Sequence, residues 1–394
     1  MPHFRTLDDF SAEGKRVLVR LDLNLPLQSG QITDLTRLER SLPTLQELAH
    51  QKAKVIILTH LGRPQGVDKS LTLAPIAKAL AKAMSPIPVL FCEEPRGPAV
   101  QRAIEELQDG QILVLENVRF IEGEEKNDPE FAQEMASWGD LYVDDAFSTS
   151  HRAHASTEGI THFLPAYAGR LMEEELKALD HALENPKRPL MAIVGGAKIS
   201  TKLPLFENLL SKVDMLVVGG AMANTFLAAQ GYPIGMSFYE PELLETARSL
   251  LKTSDKIFLP QDVVVSQDLN DKGSQRARSL SEIKKDEKIF DIGPLTCHLI
   301  LDEMKSCHTL LWNGPLGVFE TPPFDQGTIK VALGAARLTA EGSLLSVAGG
   351  GDTVSALTHA GVITKFTYVS TAGGAFLEWL EGKPLPGVKA LMHE

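Results

Sequence analysis

The sequence has little cysteine and no long apolar run. Its 394 residues hold three cysteines, Cys92, Cys297 and Cys307, with no Cys-x-x-Cys spacing. Three thiols are too few to cross-link a chain of this length, so we expect reduced, mostly buried cysteines. No run of about 18 apolar residues occurs, which predicts no membrane span. The first residues lack the apolar stretch of a secretion signal, and we therefore expect a cytoplasmic protein.

Positive charge is also scarce. The chain has 39 Lys and Arg against 51 Asp and Glu, a formal net charge of −12. A surface of this sign excludes broad binding to nucleic acid or anionic membranes. The length predicts two or three domains, each able to bury its own core.

Two common nucleotide-binding motifs are absent, since neither G-x-x-x-x-G-K-[ST] nor G-x-G-x-x-G occurs. In the second half of the chain, five short apolar runs lead instead into glycine turns. These runs are Met191–Val194, Met215–Val218, Leu310–Trp312, Leu344–Ala348 and Phe366–Val369. Such turns allow a ligand to approach the backbone closely.

The apolar runs of the first half lead into Arg, His and Asn. These runs are Val17–Leu25, Val55–Leu58, Ile112–Leu115 and Leu141–Val143. They alternate with helical patterns such as Thr72–Met84, Glu240–Leu251 and Gly327–Leu338, which is typical of parallel sheets with helical crossovers. We predict an α/β protein of two Rossmann-like lobes, each a parallel sheet in three αβα layers. Ligands of such sheets lie beyond the carboxyl ends of the strands, so we expect two anionic ligands.

The acidic, helix-favouring segment Arg170–Glu184, followed by Pro186 and Pro189, is the predicted connector. This gives a first lobe over residues 1–170, a helical hinge over 171–188 and a second lobe over 189–379. The tail, 380–394, is expected to pack back on the first lobe.

The basic residues of the first half form the first candidate site. They are Arg20, Arg37, His60, Arg63, Arg119, His151, Arg152 and His154. Arginine presents a planar fork of donors that suits carboxylate and phosphate, so the set predicts a ligand with both groups. Two alternatives stay open: the arginines pair with acids such as Asp22, Asp144 or Asp145, or His151-x-x-His154 is half of a metal site.

The second candidate site centres on Gly349-Gly350-Gly351-Asp352, between a predicted strand and a predicted helix. Asp352 is either the helix N-cap or a carboxylate for Mg²⁺ held with nucleotide phosphates. Lys198 and Lys202 either share a helix face or, if a helix starts near Pro204, lie in the loop before it. Two solvated surface lysines are the remaining alternative.

Ordered along nearly the whole chain, the motifs resemble those of the phosphoglycerate kinase family. The matching stretches are VLVRLDLNLPL (17–27), THLGRP (59–64), LENVRF (115–120), DAFSTSHRAHAST (145–157), GGAKISTK (195–202), DIGPLT (291–296), WNGPLGVFE (312–320), GGGDT (349–353) and 369–388. The resemblance implies Mg²⁺-dependent phosphoryl transfer between 1,3-bisphosphoglycerate and ADP by a cytoplasmic, glycolytic monomer, with hinge closure and no tightly bound organic cofactor.

The resemblance also implies site residues. It places the phosphoglycerate at Asp22, Leu23, Asn24, Arg37, His60, Leu61, Gly62, Arg63, Arg119 and Arg152. It places the nucleotide at Lys198, Lys202, Gly293, Asn313, Glu320, Gly349, Gly350, Gly351 and Asp352, with Asp352 on Mg²⁺. Arg37, Lys202 and Lys198 are the implied catalytic residues.

Four residues depart from the family pattern. They are Ser148, Pro204, Ala372 and Phe376. None of them removes a charged group.

Two alternative functions stay open. One is another kinase that acts on a carboxylate, and the other is a two-lobed solute-binding protein that closes on an anion.

Overall fold

The computed structural model describes residues 4–28, 30–271 and 273–392. The chain divides into two compact units. One holds the residues up to Leu176 together with the stretch from Pro384, and the other holds Lys177–Lys383. The division falls inside the segment that the sequence analysis proposes as the connector.

The first unit is built on a parallel six-stranded sheet in the order β5-β6-β4-β1-β7-β8, with a separate two-stranded hairpin, β2-β3. The strands are β1 Arg16–Arg20, β2 Leu27–Gln28, β3 Gln31–Ile32, β4 Lys54–Leu58, β5 Val89–Cys92, β6 Ile112–Leu115, β7 Leu141–Asp144 and β8 Ala166–Ala168. The helices are α1 Thr36–His50, α2 Ala74–Met84, α3 Pro98–Glu106 and α4 Pro129–Ser137. Apolar side chains of β1, β4 and β6 pack with those of α1 and α2 in one core.

The register brings the chemistry to one edge of this sheet. Arg20, the last residue of β1, pairs with Leu58 on β4 and with Asp144 on β7. Because all three strands run the same way, the loops that follow them leave from a common edge.

The second unit repeats the plan with a parallel sheet in the order β11-β10-β9-β15-β16-β17. Its strands and helices follow α5 Arg170–Leu179 and a π-helical turn, Asp180–Glu184. The strands are β9 Leu190–Val194, β10 Met215–Val218, β11 Ile257–Phe258, β15 Thr309–Asn313, β16 Leu345–Gly349 and β17 Tyr368–Ser370. The helices are α6 Leu203–Lys212, α7 Ala221–Ala229, α8 Leu244–Thr253, α9 Pro294–Met304, α10 Gln326–Ala340, α11 Gly351–His359 and α12 Gly374–Leu380.

The second unit also holds a three-stranded sheet that is not parallel. Strands β12 Asp262–Ser266, β13 Arg276–Ser279 and β14 Lys288–Ile292 pair antiparallel in the order β13-β12-β14. The sequence does not indicate this sheet, because its strand β13 is almost wholly exposed and carries no apolar run. One end of it lines the second candidate site.

The carboxy-terminal stretch belongs to the first unit. Helix α13 Pro386–Lys389 follows there, the Gly387 amide donates to the Ser150 carbonyl oxygen at 2.9 Å, and Met392 pairs with Phe4. In the part of the chain that the structure describes, no helix is long and apolar enough to cross a membrane. The three cysteines are buried and unpaired.

Candidate functional site

Arg20 ends β1 at the point where the strand order of the first sheet reverses. Its side chain is 0% exposed. Nε donates to Ser156 Oγ at 2.8 Å, Nη1 donates to the Leu21 carbonyl oxygen, and Nη2 lies 3.2 Å from His60 Nδ1. This arginine is therefore held by the protein on all three nitrogens.

The contact with Arg20 fixes the protonation of His60. A guanidinium only donates hydrogen bonds, so His60 Nδ1 accepts and the ring proton sits on Nε2. Burial, and then the charge of Arg20, hold the pKa of His60 well below its usual range. Burial likewise lowers the pKa of His154 to about 4. Both rings are neutral near pH 7, so His60 and His154 add no positive charge to this site.

A buried carboxylate lies behind the arginines. Glu124 is fully buried and accepts bonds from Ser156 Oγ at 2.6 Å and from the Ser156 amide at 2.9 Å. Burial raises the pKa of Glu124, and the charge of Arg20 opposes that shift. Ser156 thus bridges Arg20 and Glu124, which the sequence analysis did not anticipate because 32 residues separate Ser156 from Glu124.

Arg37 is in the first turn of α1 and so does not follow a strand. It still reaches the same edge, because Nη1 donates to Asp22 Oδ2 at 2.8 Å and to the Asn24 carbonyl oxygen at 3.2 Å. Ser148 Oγ also donates to Asp22 Oδ2. Asn24 Oδ1 in turn accepts from the Gly62 amide at 3.0 Å. Arg37 therefore does pair with an acid, as one alternative expected. The ion pair uses Nη1 only, and Nη2 and Nε take no part in it.

Arg119 is mostly buried beside the same loop. Its Nη1 donates to the Gly62 carbonyl oxygen at 2.6 Å, and its Nε lies 3.2 Å from Glu125 Oε1. Burial lowers the pKa of Arg119, and the charges of Arg20 and Arg152 add to the effect. The Glu125 carboxylate beside Nε opposes that shift.

The remaining predicted residues of this site differ in how they can act. Arg63 is exposed and follows His60 on the same loop, whereas Leu23 and Leu61 are buried in the core. The Leu23 amide donates to Thr59 Oγ1 and the Leu61 amide to Asn117 Oδ1, so neither amide is left for a ligand. Among the described residues, no three His, Cys, Asp or Glu side chains group as a metal site, and the His151–His154 pair therefore gains no further ligand there.

The second candidate site lies where the strand order of the second sheet reverses, between β9 and β15. Gly195 and Asn313 are at the ends of these two strands, and Lys202 joins them. Its Nζ donates to the Gly195 carbonyl oxygen and to Asn313 Oδ1, each at 2.7 Å. Burial lowers the pKa of Lys202 to about 8, and the charge of Asp352 opposes the shift.

The position of Pro204 decides between the alternatives for the two lysines. Pro204 is in the first turn of α6, and Lys202 caps that helix. Both lysines are therefore in the loop before α6, not on one face of a helix. Lys198 is exposed, whereas Lys202 is partly buried.

Glu240 holds this loop in place, a role that the sequence analysis missed. Its Oε2 accepts from the Ile199 amide at 2.6 Å and from the Ser200 amide at 3.2 Å. Glu240 is itself buried, and its amide donates to Thr225 Oγ1. Because it lies 41 residues beyond Ile199, no local spacing could have indicated it.

The glycine turn after β16 meets the same strand ends. Asn313 Nδ2 donates to the Gly349 carbonyl oxygen at 2.8 Å, and the Gly314 amide donates to Thr353 Oγ1 at 2.7 Å. Gly350 is the N-cap of α11 with φ +99°, which L side chains rarely adopt. The N-cap alternative for Asp352 is therefore wrong: Asp352 is exposed in the first turn of the helix.

Two adjoining cavities open at this edge. The first, of about 300 Å³, is lined by polar and glycine backbone and by both lysines. The second, of about 220 Å³, has mainly apolar walls, among them Leu227, Val263 and Leu316. Gly196, Ala197 and Asp352 line both cavities. A ligand with a charged part and an apolar ring would fit across them.

The predicted nucleotide residues divide between these cavities. Lys198, Lys202, Asn313, Gly350, Gly351 and Asp352 line the polar cavity, and Glu320 is exposed at the apolar one. Gly349 packs against Phe376, which is one of the four residues that depart from the family pattern. Gly293 is not among the residues that line these two cavities. It is the N-cap of α9, where an added Cβ would lie 2.1 Å from Asp262.

Comparisons with known proteins point to one family. A sequence model of the family described as phosphoglycerate kinase matches residues 7–383. The phosphoglycerate kinase of Azorhizobium caulinodans is 52% identical over 395 residues, covering 99% of this chain and 100% of that protein. That of Brucella abortus biovar 1 is 54% identical over 393 residues, covering 98% and 99%.

Solved structures agree as well. The phosphoglycerate kinase of Coxiella burnetii superposes with a TM-score of 0.91 at 43% identity, covering 99% of both chains. The enzyme of Pyrococcus horikoshii OT3 gives a TM-score of 0.80 at 31% identity, covering 99% of this chain and 98% of that one. With a family match over most of its length and relatives more than half identical, the chain belongs to the phosphoglycerate kinase family.

Proposed function

We propose that the two sites divide the substrates of one reaction, with phosphoglycerate bound by the first unit and nucleotide by the second. The reaction is that of the family: reversible phosphoryl transfer from 1,3-bisphosphoglycerate to ADP, giving 3-phosphoglycerate and ATP in glycolysis. The acyl phosphate P–O bond breaks as the bond to the terminal ADP oxygen forms. The main support is the lysine that joins the ends of β9 and β15 beside an apolar cavity.

On the acceptor side, the arginines supply charge that does not titrate. Arg119 and Arg152 with the exposed Arg63 are assigned to the substrate phosphate and carboxylate, because guanidinium forks match both groups. Arg37 is assigned to the transferring phosphoryl group. His60 Nε2–H, set by Arg20, is available as a neutral donor. Asp22 and Asn24 position Arg37 and the Gly62 loop.

On the nucleotide side, the polar cavity is assigned to the phosphates and the apolar one to the nucleoside. Lys202 and Lys198 meet the phosphates, and Glu320 meets the ribose hydroxyls. Asn313 has both ends of its amide engaged, by Lys202 and by Gly349, so it acts by holding the strand ends. The glycine turn and the first amides of α11 receive phosphate oxygens.

Mg²⁺ fits this site as a companion of the nucleotide. Asp352 is an exposed carboxylate between the two cavities, and Mg²⁺ commonly takes one or two carboxylates together with substrate phosphates. The ion would neutralise phosphate charge there. Asp352 is the residue assigned to hold it.

Phosphoryl transfer depends on positioning and electrostatic stabilisation, and the residues present supply both. Hinge closure and a monomeric state stay predictions, tested by small-angle scattering with and without both substrates. The glycolytic reaction places the chain in the cytoplasm in this proposal.

The test is a coupled assay of ATP consumption with 3-phosphoglycerate as the acceptor, in the presence of Mg²⁺. Acetate and aspartate serve as control acceptors. Turnover that requires 3-phosphoglycerate is the expected result. Equal rates with acetate would favour another carboxylate kinase, and absence of Mg-ADP binding in calorimetry would favour a solute-binding protein.

A further inference from the structure

Asn117 is a fully buried polar residue that follows β6. It belongs to the stretch LENVRF, whose arginine, Arg119, is assigned to the substrate, whereas Asn117 has no part in the proposed function. Its side chain is 0% exposed. Asn117 Oδ1 accepts from the Arg119 amide at 3.2 Å, which caps the short helical turn Val118–Phe120. If this were its only contact, capping would explain the residue.

The Asn117 side chain makes three further hydrogen bonds, all to distant residues. Oδ1 also accepts from the Leu61 amide at 3.3 Å. Nδ2 donates to the Leu61 carbonyl oxygen at 2.8 Å and to the Leu71 carbonyl oxygen at 3.1 Å. An asparagine side chain has two N–H donors and an oxygen with two lone pairs, so all of this capacity is used. Local capping accounts for one bond of the four.

The segment that Asn117 holds is the loop after β4, which carries predicted residues of the first site. Leu61 is held at both its amide and its carbonyl oxygen, and Gly62 and Arg63 follow it directly. The Gly62 carbonyl oxygen accepts from Arg119 Nη1 at 2.6 Å. Arg119 is therefore tied to this loop twice, at its amide through Asn117 and at its guanidinium through Gly62.

We propose that Asn117 is a positioning residue for the phosphoglycerate, which fixes the spacing between Arg63 and Arg119. This rests on the proposed function, in which both arginines meet the anionic groups of the substrate. Binding groups must be held within about 0.5 Å of the productive geometry, and these two arginines lie on separate segments. The buried Asn117 amide joins the two segments from behind the site and does not itself touch the substrate.

The test is Asn117→Ala, which removes all four hydrogen bonds, together with Asn117→Asp. The aspartate keeps Oδ1 but sets a second oxygen against the carbonyl oxygens of Leu61 and Leu71, so it should release the loop as well. In the coupled assay, we expect both variants to raise the KM for 3-phosphoglycerate about 10-fold, as when one hydrogen bond from a charged donor is lost.

The other constants separate positioning of the substrate from general damage. The KM for ATP should stay at the wild-type value, because the nucleotide is assigned to the second unit. The kcat should change much less than the KM for 3-phosphoglycerate, because Arg37, assigned to the transferring group, is held by Asp22. An unchanged KM for 3-phosphoglycerate in both Asn117 variants, or an equal rise in the KM for ATP, would overturn the proposal.

Leu80→Ala is the matched control for lost stability. Leu80 lies in α2, is 0% exposed and packs in the core of the same unit, and its side chain has no polar group. Its truncation should lower the melting temperature and leave both KM values at those of the wild type. If Leu80→Ala raised the KM for 3-phosphoglycerate as much as Asn117→Ala does, loosening of the unit would be the cause, and the proposal would fail.

Hydrogen exchange of the wild type provides a second measurement, should the Asn117 variants not fold. We expect slow exchange of the Leu61 and Arg119 amides before any substrate is added, because both are bonded to Asn117 Oδ1. Exchange of either amide at the rate of an unfolded chain would overturn the proposal. If the wild type showed no turnover of ATP with 3-phosphoglycerate, the proposed function would fail, while slow exchange would still support the hold of Asn117 on the loop. The two failures are therefore distinguishable.

Discussion

Lys202 offers the sharpest test of how the second site works. Its ammonium group has three N–H donors, and two of them are bonded to the Gly195 carbonyl oxygen and Asn313 Oδ1. One donor is left for the phosphoryl group. A hydrogen bond from a charged donor contributes about 1.5–3 kcal/mol, so its loss corresponds to about a 10- to 150-fold effect.

We expect Lys202→Met to lose this factor mainly in kcat, with a much smaller change in the KM for ATP. The reason is that a fixed charged donor stabilises the transition state, in which charge is spread over the three equatorial oxygens of the transferring group. Steady-state rates in the coupled assay, varying ATP and 3-phosphoglycerate separately, give both constants. Lys212→Met is the control and should keep the wild-type kcat, because Lys212 is the last residue of α6 and pairs with Glu184 outside the site.

The pKa of Lys202, lowered by burial to about 8, adds a pH signature. Below this pH the ammonium is charged, and above it the amine is neutral and cannot supply a charged donor. The kcat/KM for ATP should therefore fall as pH rises through about 8. In Lys202→Arg the decline should move to higher pH, because guanidinium keeps its proton. A wild-type profile flat from about pH 7 to 9.5, or a kcat within 3-fold of wild type in Lys202→Met, would refute this reasoning.

Three other predictions concern the acceptor site, the glycine turns and the core. Arg152→Ala should raise the KM for 3-phosphoglycerate by about 10- to 100-fold and leave that for ATP unchanged; equal changes in both would contradict its place in the first unit. Gly195→Ala should prevent folding of the second unit, since the added Cβ would lie 1.8 Å from the Pro315 oxygen, whereas Gly351→Ala, with open space around it, should keep the wild-type circular dichroism and melting temperature. Phe226→Ala should lower the free energy of unfolding in urea by about 3–5 kcal/mol, and a loss under 1 kcal/mol would show that this buried ring, 5.6 Å from that of Phe206, is loosely packed.

The sequence predicts the two parallel sheets, and the edge where the candidate residues gather, for a physical reason. Strands buried on both faces are continuous apolar runs, and parallel strands all end at one edge. Residues that follow such runs, such as His60, Asn313 and the glycines after β16, can thus be grouped without knowing the strand order. Arg37 escapes this reasoning, because its long side chain reaches the edge from a helix.

Other parts of the site depend on contacts between distant segments. Glu240 holds the lysine loop from 41 residues away, and Ser156 bridges Arg20 and Glu124. The apolar cavity wall contributed by Val263 belongs to an antiparallel sheet whose strand β13 is exposed and polar. None of these leaves a periodic or local pattern in the sequence.

The two sites obtain positive charge by different physical means. In the first, burial and Arg20 keep His60 and His154 neutral, and the guanidiniums supply positive charge that does not vary near pH 7. In the second, Lys202, with a pKa lowered by burial, supplies charge together with the exposed Lys198, beside backbone amides. Asp22, the carboxylate next to Arg37, already accepts from Arg37 and Ser148 and so is not placed as a general base. Since no proton transfer is needed when a phosphoryl group passes from an acyl phosphate to ADP, fixed charges suffice, and we expect the rate to follow the titration of Lys202.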